Sequence, residues 1–431
     1  MKIENINIQT RNSNIMLLQT LLNDCHKFPG FKYGKCQLDR KNKIIIINLY
    51  SKESSKARCS KCEEKMPCYD KQSIREFLFV PLLGYLVKIF YQPRRVSCKK
   101  HGVVVEYMPW SIGKRPICKA YAIFLATWSK KISWKEVAST FKTSWDIVFV
   151  SVKFVVDYGL KNRCLDNIEQ IGIDEIKYNR KTDKFATLVF EITKSSKRLL
   201  WIGKSRKTKT LLRFFRMLGK VRYQKISVVS SDMWFPYLKV IKKKLPHAIH
   251  ILDRFHIMKK FNEAIDDMRR LEFKALKEAG QKNPLKNTRW IFLKKPHNLN
   301  EKQSLKLKDL MTENLMTYKA YLMRESFQKF WLFPNRRIAG IFMDLWIKMV
   351  NRTKIQPMKK VSNTLFNHRD YILNWFDVNP RVSNGVVEGF NNKVKFIIRR
   401  AYGYGSYSSL EMALYHNLGN LPEPEITHSF V

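Results

Sequence analysis

Acidic side chains are scarce in this 431-residue chain: 36 Asp and Glu stand against 81 Lys and Arg, a formal net charge of +45. Small acidic substrates need only a local basic patch and do not account for such an excess. A polyanion does, because each neutralised phosphate releases counterions and adds affinity without regard to base sequence. The plain alternative is a basic but otherwise ordinary enzyme. A membrane span is missing too, since no run approaches the roughly 18 apolar residues one needs. The opening MKIENINIQTRNSN has no apolar signal core, so a cytoplasmic, nucleoid-associated location is expected. The 8 cysteines are unevenly spaced and suggest no disulfide framework; close pairs among them read first as metal ligands. Neither an internal repeat nor a low-complexity linker is evident. With 45% hydrophobic and 13% aromatic residues the chain can build a sizeable core.

At about 100–200 residues per domain, several domains are expected. Residues 1–45 form an N-terminal segment ending in KNKIIIINLYS, an Ile-rich strand. Residues 46–116 hold most of the cysteines among short strand-like runs such as Leu86–Tyr91. Residues 117–165 are helical, with apolar positions at helical spacing and no Gly or Pro from Tyr121 to Val156. From 166 to 256 the order is β-β-β-α-β-α-β, which predicts a mixed α/β sheet. Residues 257–380 read as almost wholly helical, and 381–431 hold one further polar-faced helix.

Cys59-Ser-Lys-Cys62 and Cys98-Lys-Lys-His101 form two tight knuckles. Two such knuckles close a tetrahedral Zn²⁺ site, because zinc accepts thiolate and neutral imidazole alike. Strand-like runs lie between them, as a zinc ribbon requires, and Cys68 is a rival ligand. Further on, Ser133 is placed to cap a helix WKEVASTF, Phe141-Lys142-Thr143 makes a turn, and Ser144 caps WDIVFVSVKFVV. That pattern matches a helix-turn-helix with Trp145 at the end of the second helix, where side chains reach base edges. An ordinary αα-hairpin is the alternative.

Three carboxylates stand out. Asp174 follows the strand-like IGI and Asp232 follows KISVVSS, so both are expected at C-terminal strand ends, where open α/β sheets place functional groups. Glu388 opens a helix from about Gly385 on which Asn392, Lys395 and Arg399 share its arc, while Val387, Phe390, Val394, Ile397 and Ile398 lie opposite. Three acids at one sheet end can hold two hard divalent cations for phosphoryl transfer, with Lys395 and Arg399 gripping DNA phosphates. Singly, each reads more readily as a solvated surface acid; together, in so basic a chain, they favour catalysis. Asp253 and His256 form a secondary candidate pair, Asp253 being equally suited to cap the next helix. Glu175 points to the opposite face from Asp174 and ranks below it.

IGIDEIKY, VVSSDMWFPYLKVI, HILDRFHIMKKFNEAIDDMRR, NTRWIFLKKPHNL and SNGVVEGFNNKVKFIIRRAYGYGS resemble the bacterial DDE-type insertion-sequence transposases of the ISL-three group. The knuckle pairs and SWKEVASTFKTSWDIV lie upstream in that family's order, so the resemblance runs from about residue 45 to the end. It implies a ribonuclease-H-like catalytic core with Asp174, Asp232 and Glu388 as the triad. A large all-α insertion is implied between the second Asp and the Glu. Asp253-x-x-His256 looks like a motif of DDE transposases with such insertions. His101 departs from the family, which usually shows Cys there. The implied activity is binding of terminal inverted repeats, then Mg²⁺- or Mn²⁺-dependent strand cleavage and strand transfer. Double-stranded DNA, both element ends and target, is the expected partner, and pairing two ends calls for a homodimer or larger assembly. A non-catalytic DNA-binding regulator and a structure-specific nuclease are the alternatives; clustered acids repel phosphates and argue against the first.

Overall fold

The computed structural model describes residues 17–179, 184–193, 195–294, 296–378 and 384–425, without the side chains of Cys25, Asn179, Lys184 and residues 384–388. Two compact units divide the described residues, one of 17–163 with Tyr415–Asn417 and 421–425, the other of Cys164–Leu414 with Leu418–Asn420.

In the first unit, α1 (Leu18–Cys25) precedes β1 (Phe31–Asp39) and β2 (Ile44–Ser51). β3 (Cys68–Lys71), β4 (Arg75–Leu82), β5 (Tyr85–Tyr91), β6 (Arg94–Cys98) and β7 (Gly102–Val105) follow. Period-2 alternation selects which residues are buried: along the Ile run of β2, Ile45 and Ile47 are buried and Ile44 and Ile46 half-buried. Four strands form one sheet in the order β1-β2-β5-β4, with β2 and β5 parallel and the outer pairs antiparallel. Trp110 fills its core, edge-on to Phe31 at 4.8 Å and Tyr91 at 5.1 Å. A second sheet has the order β3-β6-β7.

Two expectations change here. Residues 1–45 do not stand apart, because β1 pairs with β2 from Phe31↔Ser51 to Asp39↔Ile44 across that boundary. Nor do all the runs between the knuckles serve a ribbon: β4 and β5 belong to the Trp110 sheet, and β3 and β6 to the other. Strand pairing is a long-range choice that local periodicity does not encode. Arg94 of β6 and Glu106, just past β7, form a 2.7 Å ion pair, and Tyr91 Oη of β5 links the other sheet by donating to the same carboxylate at 2.6 Å.

The unit continues with α2 (Lys119–Ser129), α3 (Trp134–Thr140) and α4 (Trp145–Asn162). Ser133 and Glu136 form a reciprocal capping box at α3, and Ser144 Oγ accepts from Ile147 N at 3.2 Å at α4. α4 buries Val148, Val152, Val155 and Val156, the 3–4 spacing of an amphipathic helix.

The second unit opens with β8 (Gln170–Asn179), β9 (Lys184–Ile192), β10 (Lys197–Gly203), α5 (Thr208–Leu218) and α6 (Lys220–Tyr223). β11 (Val228–Ser231), α7 (Phe235–Lys244) and β12 (Ile249–Leu252) complete a five-stranded mixed sheet of order β10-β9-β8-β11-β12. β8, β11 and β12 are parallel, and β9 and β10 antiparallel. Ile171 and Ile173 point to one face and pack with Leu211, Phe214, Phe215, Tyr237 and Ile241 of α5 and α7. Alternation therefore turns Asp174 to the other face.

A helical region follows: α8 (Arg254–Glu278), α9 (Arg289–Leu293), α10 (Glu301–Met311), α11 (Met316–Gln328), α12 (Arg336–Asn351), α13 (Gln356–Asn367) and α14 (Arg369–Leu373). Its own core gathers Phe261, Phe327, Phe330, Met343 and Trp346, and the buried Arg324 donates to Phe292 O at 2.7 Å and Asn262 Oδ1 at 2.9 Å. The chain then forms α15 (Asn384–Arg400) and α16 (Tyr407–Leu418). α15 packs on the sheet through Phe390, stacked on Phe190 of β9 with centroids 4.3 Å apart. No helix among the described residues is long and apolar enough to cross a membrane.

Candidate active site

The acidic site lies where parallel pairing in the middle of the sheet ends. Ser231 of β11 is registered with Ile173 of β8, so Asp232, the next residue, falls beside Asp174. Asp174 is not at a strand terminus as expected. β8 runs on to Asn179 against β9, and only its pairing with β11 stops at Ile173. The step in the sheet edge exposes the position, which a reading of one strand at a time does not reveal.

Both carboxylates are buried, Asp174 at 3% and Asp232 at 8% exposure. Asp174 Oδ1 accepts from Glu175 N at 2.7 Å and lies 3.5 Å from His256 Nε2. Asp232 Oδ1 accepts from Trp234 N at 3.0 Å. Burial, with the negative charge of Asp174 adding to it, pushes the Asp232 carboxyl up to about 6 against the lowering effect of that N–H. Burial alone would lower the His256 imidazole, but its contact with Asp174 and the charges of Asp253 and Asp232 raise it. Two buried carboxylates side by side suit a hard cation.

Asp253 caps α8, accepting from Phe255 N at 2.9 Å, and the turn that follows brings His256 to Asp174. Glu175, on the opposite face, pairs with Arg206 at 3.1 Å. Arg206 lies between two rings, 3.9 Å from Phe185 and 4.4 Å from Trp234. Glu388 belongs to α15, but its side chain lies outside the described residues.

On α15 the amide that meets the acids is not Asn392, which is exposed, but Asn391, whose Nδ2 donates to Asp174 Oδ2. Asn391 sits one turn after Glu388, and an i+3 partner shares a helix face as readily as an i+4 one. The buried phase set by Phe390, Val394 and Ile397 was the available signal for it. Lys395 and Arg399 are exposed on the same helix.

Sequence reasoning also missed His250, buried on β12 with Nε2 2.8 Å from Ser231 Oγ and its ring 5.0 Å from Tyr371. Burial pulls its imidazole down to about 4 from an ordinary 6.5. A depressed folded-state value means full stability above about pH 6.5, lost progressively as pH falls towards 4, by roughly 3 kcal/mol at most. Denaturant titrations of the wild type against His250→Gln should therefore diverge across that window and run parallel above it.

In the first unit, the ligand atoms of Cys59, Cys62, Cys98 and His101 all lie within 4.8 Å of one another. Cys62 and Cys98 sulfurs are 3.8 Å apart, and His101 Nδ1 is 3.6 Å from Cys59 Sγ and 3.5 Å from Cys98 Sγ. Tetrahedral zinc, about 2.3 Å from sulfur and about 2.0 Å from nitrogen, demands edges of about 3.8 Å and about 3.5 Å. The group can thus hold zinc. Cys68 stands outside it, exposed, with its thiol donating to Asp70 O at 3.5 Å. At α4, the Trp145 ring is 42% exposed, stacked on Phe149 at 5.5 Å and 5.7 Å from Trp134.

A mixed sheet that buries paired acids beside a histidine, in a strongly basic chain, defines an enzyme that works on a polyanion. Residues 171–414, more than half of the chain, match the ISL3-type DDE family model described as Transposase. The chain belongs to this family and is a DNA-cleaving transposase. It is 25% identical over 364 residues to the transposase for insertion sequence element IS1001 of Bordetella parapertussis, covering 83% of this chain and 88% of that one. It is 26% identical over 391 residues to the transposase for insertion sequence element IS1557 of Mycobacterium tuberculosis, covering 85% and 86%.

Proposed function

We propose that this chain binds the terminal inverted repeats of an insertion sequence and catalyses metal-dependent strand cleavage and strand transfer, with Asp174, Asp232 and Glu388 as its carboxylate triad. The observation that carries this reading is the pairing of buried Asp174 and Asp232 at neighbouring parallel strands, with His256 against the first. The order β10-β9-β8-β11-β12, with its antiparallel outer pair, supports a ribonuclease-H-like core, and α8–α14 supports a large all-α insertion.

The donor set fits a hard cation such as Mg²⁺ or Mn²⁺: two buried carboxylates, plus the buried Asn391 Oδ1, which has no hydrogen-bond partner among the described residues. Asp174, Asp232 and Glu388 would hold it. A divalent cation in such a site supplies an activated oxygen nucleophile and neutralises charge on the phosphate during in-line displacement. Asn391 fixes the Asp174 carboxylate, His256 balances its charge, and Lys395 and Arg399 grip the DNA backbone. Cys59, Cys62, Cys98 and His101 would hold a structural Zn²⁺, and α3 and α4 form a helix-turn-helix that offers Trp145 to the element end. Joining two ends requires a homodimer or larger assembly acting on double-stranded DNA, consistent with a nucleoid-associated protein.

Incubation with DNA carrying the gene's flanking ends tests the reading: nicking at the repeat boundary with Mg²⁺, absent in EDTA, is expected. Binding without any cut would favour a regulator. Within this frame Asn391→Leu should slow single-turnover cleavage by roughly 10–100-fold, the weight of one hydrogen bond to a charged group. End affinity should stay unchanged in a mobility-shift titration; an unaltered cleavage rate would remove Asn391 from the site.

A further inference from the structure

β11 and β12 end in register, with Ser231 opposite Leu252, and the chain leaves both by the same device. Asp232 accepts the N–H of Trp234, and Asp253 that of Phe255, two residues on in each case. Each turn starts a helix and sends large rings outward: Phe235 is 70% exposed, Phe255 43% and Trp234 36%. Aromatic rings of this size are mostly buried, so three around one acidic strand end need an explanation.

Two of the rings, those of Trp234 and Phe255, are held in place. Trp234 Nε1 donates to Arg206 O at 3.0 Å, and the Arg206 guanidinium lies 4.4 Å from the Trp234 ring. Phe255 is edge-on to His256, which contacts Asp174. Lys204 and Lys207 in the adjoining loop and Lys209 at the start of α5, all exposed, flank Arg206. Outward π-faces beside exposed cations suit one kind of occupant, a nucleic-acid strand whose phosphates meet lysines while a base stacks on a ring. In paired B-form DNA the base faces are covered by their neighbours. Only an unstacked base can use these rings.

We propose that Trp234, Phe235 and Phe255 form a stacking rim that takes an unpaired nucleobase of the DNA strand lying at the carboxylates. The inference rests on the transposase reading of that site and adds the state of the substrate there: locally melted, not merely bent. The rim stabilises the melted strand, and the paired acids stay free for the phosphate.

The test uses the full-length protein in EDTA, so that no chemistry is needed, with fluorescein-labelled duplexes carrying the gene's flanking end. One duplex is fully paired, one has mismatched bases beside the boundary, and one has abasic sites at those same positions. Wild type should bind the mismatched duplex about 5- to 100-fold more tightly than the abasic one, the range expected of base–aromatic stacking. Phe235→Ala and Phe255→Ala should each remove most of that preference while leaving abasic binding and the melting temperature unchanged; Phe235→Trp should retain it. Equal wild-type affinity for mismatched and abasic DNA would overturn the proposal. So would variants that weaken binding to all three duplexes alike, or that lose self-association but keep the base preference, as expected if a second copy covers the rings. Cleavage in Mg²⁺ is scored separately. A protein that shows the preference but does not cut leaves the rim in place and removes the catalytic reading; one that cuts without the preference does the reverse.

Discussion

Asp232→Asn is expected to abolish strand cleavage while element-end binding persists. The change is isosteric, and the Asn side-chain oxygen can still accept from Trp234 N, a contact of 3.0 Å in the native turn. What is lost is a negative charge in a buried site beside Asp174. Electrostatic stabilisation of a transferring phosphoryl group by a bound cation is worth several kcal/mol, and each 1.36 kcal/mol is tenfold in rate. A fall of about 10³-fold or more in single-turnover nicking is therefore expected with either Mg²⁺ or Mn²⁺. Removing the charge also relieves repulsion between two buried acids, so thermal stability of the metal-free protein should rise slightly, not fall. End binding, measured by mobility shift, should change by less than about twofold, since phosphate contacts elsewhere dominate affinity. Nicking at the wild-type rate would take Asp232 out of the triad.

Removal of the zinc proposed for Cys59, Cys62, Cys98 and His101 should be the largest structural effect in the molecule. The sheet β3-β6-β7 buries little of its own: Ala57, Cys59, Val96 and Cys98, with Cys62, Met66 and Val104 partly covered. So small an apolar cluster does not offset the entropy of ordering its strands. Structural zinc contributes about 10–16 kcal/mol in small peptide modules near neutral pH, which makes metal binding and folding one event. Purified protein should carry one zinc per chain by elemental analysis. A strong chelator, or Cys98→Ser, should open the stretch from Ala57 to Glu106 to limited proteolysis while the Cys164–Leu414 unit keeps its protection. His101→Cys should retain the metal, because a thiolate meets the same tetrahedral demand. Full protease resistance in metal-free protein would show that the Arg94–Glu106 pair and its surroundings suffice without the ion.

What could be read from the sequence was what is local. The knuckles declare themselves by spacing, and their ligand atoms meet in space. Ser133 and Ser144 begin helices by capping chemistry that needs nothing beyond three residues. Asp232 was placed by the apolar run before it. The step in the sheet edge at Asp174 was not visible, because it depends on where a different strand stops pairing. The Asn391 contact turned on helix phase, in which a one-residue error rotates the side chain by about 100°. The Arg94–Glu106–Tyr91 network and the Arg206 sandwich join residues from separate elements, and no periodicity announces such meetings. The same holds for β2, whose partner β5 lies beyond two intervening strands.

The contact between Asn391 and Asp174 spans 217 residues of chain. At synthesis rates of about 5–20 residues per second, the two groups leave the ribosome roughly 10–40 s apart. Through that interval the nascent chain already displays its cysteine knuckles and capped helices, yet its first carboxylate has no amide to hold it. Any message broken before α15 yields a polypeptide with the helix-turn-helix proposed for the element end, without Lys395 and Arg399, and with an unfinished acidic centre. A fragment of that kind would reach the same ends as the complete protein without the amide that its first carboxylate needs.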